Sequence, residues 1–262
     1  MAAEKTPLSV AIITLNEEDR LADCLKSANF ADDIVVVDSG SDDQTVAIAE
    51  SFGARVFEEP WQGFGPQKQF AINKCLHEWI LILDADERLP QETEAEIRAI
   101  IAEPVVCQAY SISRKNYFFG RWIRHAGWWP DRTVRLFRKG MAHMPPQRVH
   151  ESLQVEGTVA EMRHPLIHFP FRDLRHMMLK MDQYSTAGAE GLFEARESAS
   201  TSKAASRAGW ALIYNYCFRG GFLDGGPGLI IAVSDAMNIF FKYAKLKEMN
   251  ERKGKLRVES ER

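Results

Sequence analysis

The chain has 262 residues, 45% of them hydrophobic and 26% charged, a balance that excludes disorder over most of its length. A net charge of −3 gives no sign of a nucleic-acid binder, and no stretch reaches the 18 uncharged apolar residues that a membrane-spanning helix needs. The charge is unevenly spread, with 8 basic and 21 acidic side chains in residues 1–113 but 8 basic residues against Asp131 alone in residues 114–139. Residues 242–257 are basic again, and such asymmetry marks surfaces that meet anions. Cys24, Cys75, Cys107 and Cys217 form no Cys-x-x-Cys pair, which argues against a zinc ribbon or a disulfide framework and for a reducing, cytoplasmic compartment.

Residues 8–14 are the continuous apolar run of a strand buried on both faces. Asn16 follows in the position of a helix cap, ahead of Glu17, Glu18 and Asp19, whose charge suits the positive end of a helix dipole. Residues 34–37 predict a second buried strand ending at Asp38-Ser39-Gly40-Ser41. Ser41 and Gln44 have the spacing of a capping box, for a helix that runs to Phe52 and stops at Gly53. A short third strand is expected at 54–57, a helix at 68–76, and a fourth strand at 79–83 that runs into Asp84-Ala85-Asp86-Glu87. Pro90 opens a helix that must end before Pro104.

Alternation of this kind predicts an α/β fold, a mostly parallel sheet with helices on both faces and ligands at the carboxyl ends of its strands. Asp38, Asp84 and Asp86 then share one edge. Beyond residue 105, residues 108–114 and 132–139 alternate as antiparallel strands do, joined by a loop rich in aromatic and basic residues. From 171 the texture is helical, with Leu174, Met178, Met181 and Ser185 on one stripe that reads as core packing, and 194–206 reads as a loop. A boundary near 170 separates a domain at 1–170 from a helical region at 171–262.

Three groups of residues can carry chemistry. Two carboxylates one residue apart at a strand end, Asp84 and Asp86, can share a hard divalent cation with phosphate oxygens. Gly63-Phe64-Gly65-Pro66-Gln67-Lys68 reads as a flexible loop more than a phosphate cradle, although Lys68 can still reach a phosphate; it lies in the wrong βα unit for a dinucleotide site. Glu151 beside His150 has the chemistry of a general base or of a plain surface turn, and His164 and His168 flank what looks like another strand.

Thr14-Leu15-Asn16-Glu17, Asp38 through Thr45, and Leu83-Asp84-Ala85-Asp86-Glu87 resemble the successive signatures of family 2 glycosyltransferases with the GT-A fold. Residues 119–124, 129–131 and 135–137, then Val149-His150-Glu151, Phe222 to Gly225 and Lys242 to Leu246, resemble the bacterial lipopolysaccharide core glucosyltransferases. The resemblance implies that Thr14, Asn16 and Glu17 hold the base and ribose of a UDP-sugar, that Asp38 reads the uracil edge, and that Asp84 approaches the ribose. It adds Arg135 and Lys68 to the donor site. Asp86, joined by His168, becomes the ligand of Mg²⁺ or Mn²⁺, and Glu151 the base, with Asp131 in reserve. Asp131 has a rival role as a salt-bridge partner of Arg132 or Arg135.

What the resemblance implies is a metal-dependent, inverting hexosyltransferase acting on a glycolipid or oligosaccharide acceptor at the inner face of a bacterial plasma membrane. The aromatic stretch 210–246, with the basic residues that follow, then docks on anionic lipid; packing on the sheet or on a second copy of the chain is the competing role. Two other functions stay open: a sugar-nucleotide nucleotidyltransferase, and a non-catalytic nucleotide-binding membrane adaptor. The first normally has a Gly-rich basic loop after its first strand, where this chain has Asn16-Glu17-Glu18. The second has no need of Asp38, Asp86 and Glu151 together.

Overall fold

The first apolar run becomes β1 (Leu8–Thr14), buried along nearly its whole length in the computed structural model, which describes residues 6–104, 106–145 and 152–260. α1 (Glu18–Ala28) packs through Leu21, Cys24, Leu25 and Ala28, the i, i+3, i+4, i+7 stripe of an amphipathic helix. Asn16 does not cap it. That residue adopts φ +55°, takes Ser41 Oγ as acceptor for its N–H (2.8 Å) and accepts the Asp42 N–H on Oδ1 (3.0 Å), so it ties two loops together. Glu17 stands at the N-cap position without a side-chain cap bond.

β2 (Asp33–Asp38), α2 (Thr45–Ser51) and β3 (Arg55–Glu58) follow as the pattern predicts. The expected capping box does not form. Ser41 Oγ donates to the Asp38 carboxylate instead (2.6 Å), a charged acceptor being the stronger partner, and Asp43 Oδ1 receives the Thr45 N–H (2.9 Å). α3 (Phe64–Lys74) begins four residues before the expected start, so residues 64–68 are helix and not a flexible loop. Pro66 sits in the first turn, where a missing N–H breaks no intrahelical bond. β4 (Trp79–Ile82), β5 (Glu87–Arg88) and α4 (Gln91–Ala102) complete this half.

The later strands are β6 (Ala109–Phe118), β7 (Arg121–Trp122), β8 (Asp131–Arg138), β9 (Ala142–His143), β10 (Gln154–Val155), β11 (Val159–Glu161) and β12 (Leu166–His168). β1 lies between β2 and β4, all parallel, with β3 outside β2; β8 then pairs antiparallel with both β4 and β6. Side chains alternate across this sheet. Val10, Ile12, Val36 and Leu81 pack with Leu21, Leu25 and Ile97 on one face, and Ala11, Val35, Val37 and Ile80 pack with Ala71 and Ile72 on the other.

The chain forms two compact units: residues 1–115 with 130–169, and residues 116–129 with 170–262. Residues 116–129, placed by sequence within the first domain, thus pack with the C-terminal helices, where Phe118, Ile123 and Ala126 meet Met177 and Ile231. These helices are α5 (Leu174–Glu194), α6 (Thr201–Ile213) and α7 (Gly225–Ser260), with α5 and α6 both packed on α7. A π-helical turn at Tyr214–Phe218 and a 3₁₀ turn at Gly221–Asp224 join the last two.

Two details differ from the sequence pattern. Met177, Ser185 and Ala189 are the buried residues of α5; Ser185 is on the expected stripe, while Leu174 and Met178 are exposed and Met177, one residue or 100° from Met178, is buried in its place. The loop after α5 is also short, because Ser200 accepts the Lys203 N–H (3.1 Å) and starts α6 there. Ala204, fully buried, is small enough to let that helix pack closely.

Candidate active site

Three strand ends position the first set of polar groups. β1 and β2 run in register, so Thr14 lies opposite Asp38, and Thr14 Oγ1 donates to Asp38 Oδ1 (2.9 Å). Asp38 Oδ2 accepts the Gly40 and Ser41 N–H groups (2.9 and 2.7 Å). With Ser41 Oγ also bound, the buried Asp38 carboxylate holds its loop in shape with all its described bonds going to protein. Glu17 receives structure from the next loop through its N–H to Thr45 Oγ1 (2.8 Å).

β4 delivers the acidic pair. Lys68 Nζ reaches Asp84 Oδ1 at 2.8 Å from α3, and Arg135 Nη2 reaches Asp84 Oδ2 at 2.5 Å from β8. Burial works against the charge on Asp84, yet Arg135 and then Lys68 hold its carboxyl well below the usual carboxylate range. Arg135 also pairs with Glu87, which is fully buried and whose Oε2 accepts the Asp84 N–H (3.0 Å). Burial pushes the Glu87 carboxyl up, and the charge of Asp84 adds to that push against the opposing Arg135.

β12 delivers the histidine. It pairs antiparallel with β5, placing His168 opposite Glu87, and the Phe169 N–H donates to the Asp86 carbonyl (3.0 Å). His168 Nε2 consequently lies 3.5 Å from Asp86 Oδ1. On the other carboxylate oxygen of Asp86, Arg20 Nη1 approaches to 3.4 Å while also donating to the Phe169 carbonyl (3.0 Å). Among the described residues no group of three or more His, Cys, Asp or Glu side chains converges on one point. One carboxylate and one imidazole side by side do suit a divalent cation that completes its shell with ligand oxygens.

The remaining residues fall elsewhere. Among the described residues Asp131 forms its salt bridge with Arg114, not with Arg132 or Arg135, with Nε–Oδ2 at 2.9 Å and Nη2–Oδ1 at 3.0 Å. His164 pairs with Glu96 of α4 (3.0 Å). Glu151 and His150 lie outside the described residues. Arg20 and Glu87 are the two members that sequence reasoning passed over. Arg20 carries a signal, a cation on the same helical stripe as Leu21 and Cys24, whereas Glu87 reads as one more acid in an acidic turn.

A parallel sheet that ends in paired carboxylates, extended by antiparallel strands that return a cation and a histidine to the same edge, has the build of a GT-A transferase domain. The glycosyl transferase family 2 profile matches residues 9–152. Along 97% of both chains the sequence is 31% identical to a Rhizobium meliloti protein, the lipopolysaccharide core biosynthesis glycosyltransferase LpsC. An uncharacterized glycosyltransferase of Rickettsia typhi is 29% identical, over 93% of this chain and 87% of that one. The fold is similar to that of S. aureus TarS residues 1–349 in complex with UDP-GlcNAc, with a TM-score of 0.52 and 16% identity over 94% of this chain and 92% of that one. The chain belongs to glycosyl transferase family 2.

Proposed function

We propose that this glycosyltransferase moves a hexose, glucose, from UDP to a saccharide of the lipopolysaccharide inner core, with inversion at the anomeric carbon and with Mg²⁺ or Mn²⁺ as cofactor. The observation that carries the reading is the charged cluster at the β4 end: Asp84 between Lys68 and Arg135, and Asp86 beside His168. Asp86 and His168 would hold the cation, which supplies charge neutralisation to the diphosphate leaving group. Lys68 Nζ lies 2.8 Å from Asp84 Oδ1, and its ammonium has three N–H donors, enough to serve that carboxylate and a phosphate oxygen together. Thr14, Asn16, Glu17 and Asp38 shape the two loops that would take the uridine. Arg135 acts by fixing Asp84, being itself buried.

Glu151 is the proposed base, removing the proton of the acceptor hydroxyl as that oxygen attacks the sugar from the face opposite UDP. Similarity to a lipopolysaccharide core biosynthesis enzyme and the basic character of residues 114–139 support the core acceptor. Among the described residues no helix is long and apolar enough to cross a membrane. Contact with an anionic inner-membrane surface is therefore assigned to exposed aromatic residues of the second unit, among them Trp210, Phe218 and Phe222. The test is UDP release from UDP-glucose with Mn²⁺, with and without lipopolysaccharide truncated to its inner core. Acceptor-stimulated UDP release supports transfer, and UTP formation from UDP-glucose and pyrophosphate in its place overturns it in favour of nucleotidyl transfer.

A further inference from the structure

The second unit contains a basic cavity of its own. It is a half-open pocket of about 510 Å³ lined by Gly120, Arg121, Trp122, Arg124, His125, Leu223 and Asp224. Asp224 is the one carboxylate in this lining, only 2% exposed, and its oxygens are taken up by protein. Oδ2 accepts the Arg124 N–H (3.2 Å) and the His125 N–H (2.9 Å), and Oδ1 faces His125 Nδ1 at 3.1 Å. That contact fixes the ring and makes Nε2 the nitrogen left for a ligand; among the described residues Nε2 has no hydrogen-bond partner. Gly220 makes the arrangement feasible, since a Cβ at that position would come within 3.2 Å of the imidazole.

The two arginines are held in place without being neutralised. Arg121 Nη2 donates to the Leu223 carbonyl (3.3 Å), and the Arg124 guanidinium lies 4.3 Å from the centre of the Trp122 ring. Among the described residues neither forms an ion pair with a carboxylate. The lining thus carries two permanent cations and an oriented imidazole against one buried, satisfied carboxylate. A planar guanidinium pair matches the several acceptor oxygens of a doubly charged phosphate, and the imidazole, with Nδ1–H on Asp224, adds an Nε2–H donor when it is in the imidazolium form; stacking on an aromatic face lowers the entropy lost when Arg124 binds. The volume exceeds that of a bare phosphate and leaves room for part of the molecule that carries it.

We propose that this cavity binds a phosphomonoester, through Arg121, Arg124 and an imidazole oriented by Asp224. Its role in transfer, to hold a phosphate borne by the acceptor, rests on the transferase reading; the binding does not. The experiment titrates the full-length chain in EDTA, which keeps a divalent cation from drawing the ligand to the donor site, using glucose 6-phosphate, glucose, glucuronate and inorganic phosphate by calorimetry. Long-range ¹H–¹⁵N spectra of the imidazoles are recorded in parallel. Glucose 6-phosphate should bind at least tenfold tighter than glucose and shift the His125 signals. The Arg121→Gln/Arg124→Gln double variant, altered only at exposed side chains, should lose that preference while melting at the wild-type temperature. Inorganic phosphate binding equally well assigns recognition to the phosphate alone. Arginine-dependent capture by phosphatidic acid vesicles, absent with phosphatidylglycerol, assigns the phosphomonoester to a lipid. A preference that survives the double variant, glucuronate binding as tightly as glucose 6-phosphate, or no preference over glucose overturns the proposal.

Discussion

Arg135 Nη2 lies 2.5 Å from Asp84 Oδ2 and also pairs with Glu87, so a single guanidinium compensates one carboxylate at the edge of the site and another sealed inside the protein. Burial disfavours the charge on Arg135, but the two carboxylates overrule it and raise its proton affinity further. Removing one member of a buried ion pair leaves the other uncompensated, at about 3–5 kcal/mol. Arg135→Ala should therefore lower the unfolding free energy by an amount of that order, read as a lower urea midpoint at an unchanged m-value. A variant as stable as wild type would show that Glu87 folds protonated and needs no counter-charge.

The metal reading singles out Asp86. Its side chain is partly open to solvent and packs into no apolar cluster, so Asp86→Ala should fold normally and lose UDP release by more than 10²-fold. His168→Ala should lose less, and its activity should recover with added Mn²⁺, since loss of one donor weakens the affinity without deleting the carboxylate. Chelator should silence the wild type. Full activity in excess EDTA would leave Lys68 and Arg20 to neutralise the diphosphate alone.

For the base, Glu151→Gln should reduce turnover about 10²–10⁴-fold with UDP affinity nearly unchanged. Asp131→Asn should behave differently, because its carboxylate is engaged bidentately by Arg114, which also stands 3.8 Å from Glu87. The expected outcome is a drop in melting temperature with most activity kept. Inactive, fully stable Asp131→Asn alongside active Glu151→Gln would exchange the two roles.

Strand–helix alternation and the acidic strand ends were legible because each rests on local pattern: apolar runs for strands buried on both faces, and Asp38, Asp84 and Asp86 where those runs stop. The polar cross-links were not legible. Ser41 has the spacing of a cap for α2, but Asp38 and Asn16, brought near by the parallel pairing of β1 and β2, compete for its hydroxyl and win. His168 illustrates the same point from the other side. Nothing in residues 164–168 reveals that β12 will pair with β5 and set the imidazole against Asp86; only the resemblance hinted at it. The sequence carries a change in texture near 170, whereas the attachment of residues 116–129 to the helical unit depends on contacts between Phe118, Ile123 and Met177 that no spacing encodes.

Asp235 gives the second unit a pH signature. Burial pushes its carboxyl up to about 6, opposed by Arg219, and its one described hydrogen bond comes from Asn215 Nδ2 (3.1 Å). Since the folded-state value is the higher one, the folded chain binds more protons than the unfolded chain between the ordinary 3.8 and 6. Stability should fall as pH rises through that window and stay level above it, by roughly 3 kcal/mol at most. Asp235→Asn keeps the acceptor for Asn215 and removes the charge. It should raise the melting temperature at pH 7.5 and flatten the profile from pH 4 to 6.5; a variant no more stable than wild type at pH 7.5 would show that the carboxylate is already solvated.

Membrane contact makes a separate demand on the surface of the second unit. Trp210, Tyr214 and Phe218 stack in sequence along α6 and the π-helical turn, with ring centroids 6.1 Å and 6.3 Å apart, and Trp210 and Phe218 are 61% and 69% exposed. The widened turn matters here: a spacing of four residues keeps these rings on one face from the α-helix into the turn. Arg207, Arg219 and Lys242 line the adjoining cavity beside Trp210 and Tyr214. Aromatic rings lie favourably in the headgroup layer, and each nearby cation adds on the order of 1 kcal/mol of attraction to anionic lipid. The chain should float with phosphatidylglycerol vesicles at low salt and be released as screening lengths shorten. Trp210→Ser/Phe218→Ser alters only exposed rings, so it should fold and yet stay at the bottom of the gradient. Flotation unchanged by that double variant would move the contact off this face, and a wild type that stays down at every ionic strength would leave the stacked rings without a membrane role.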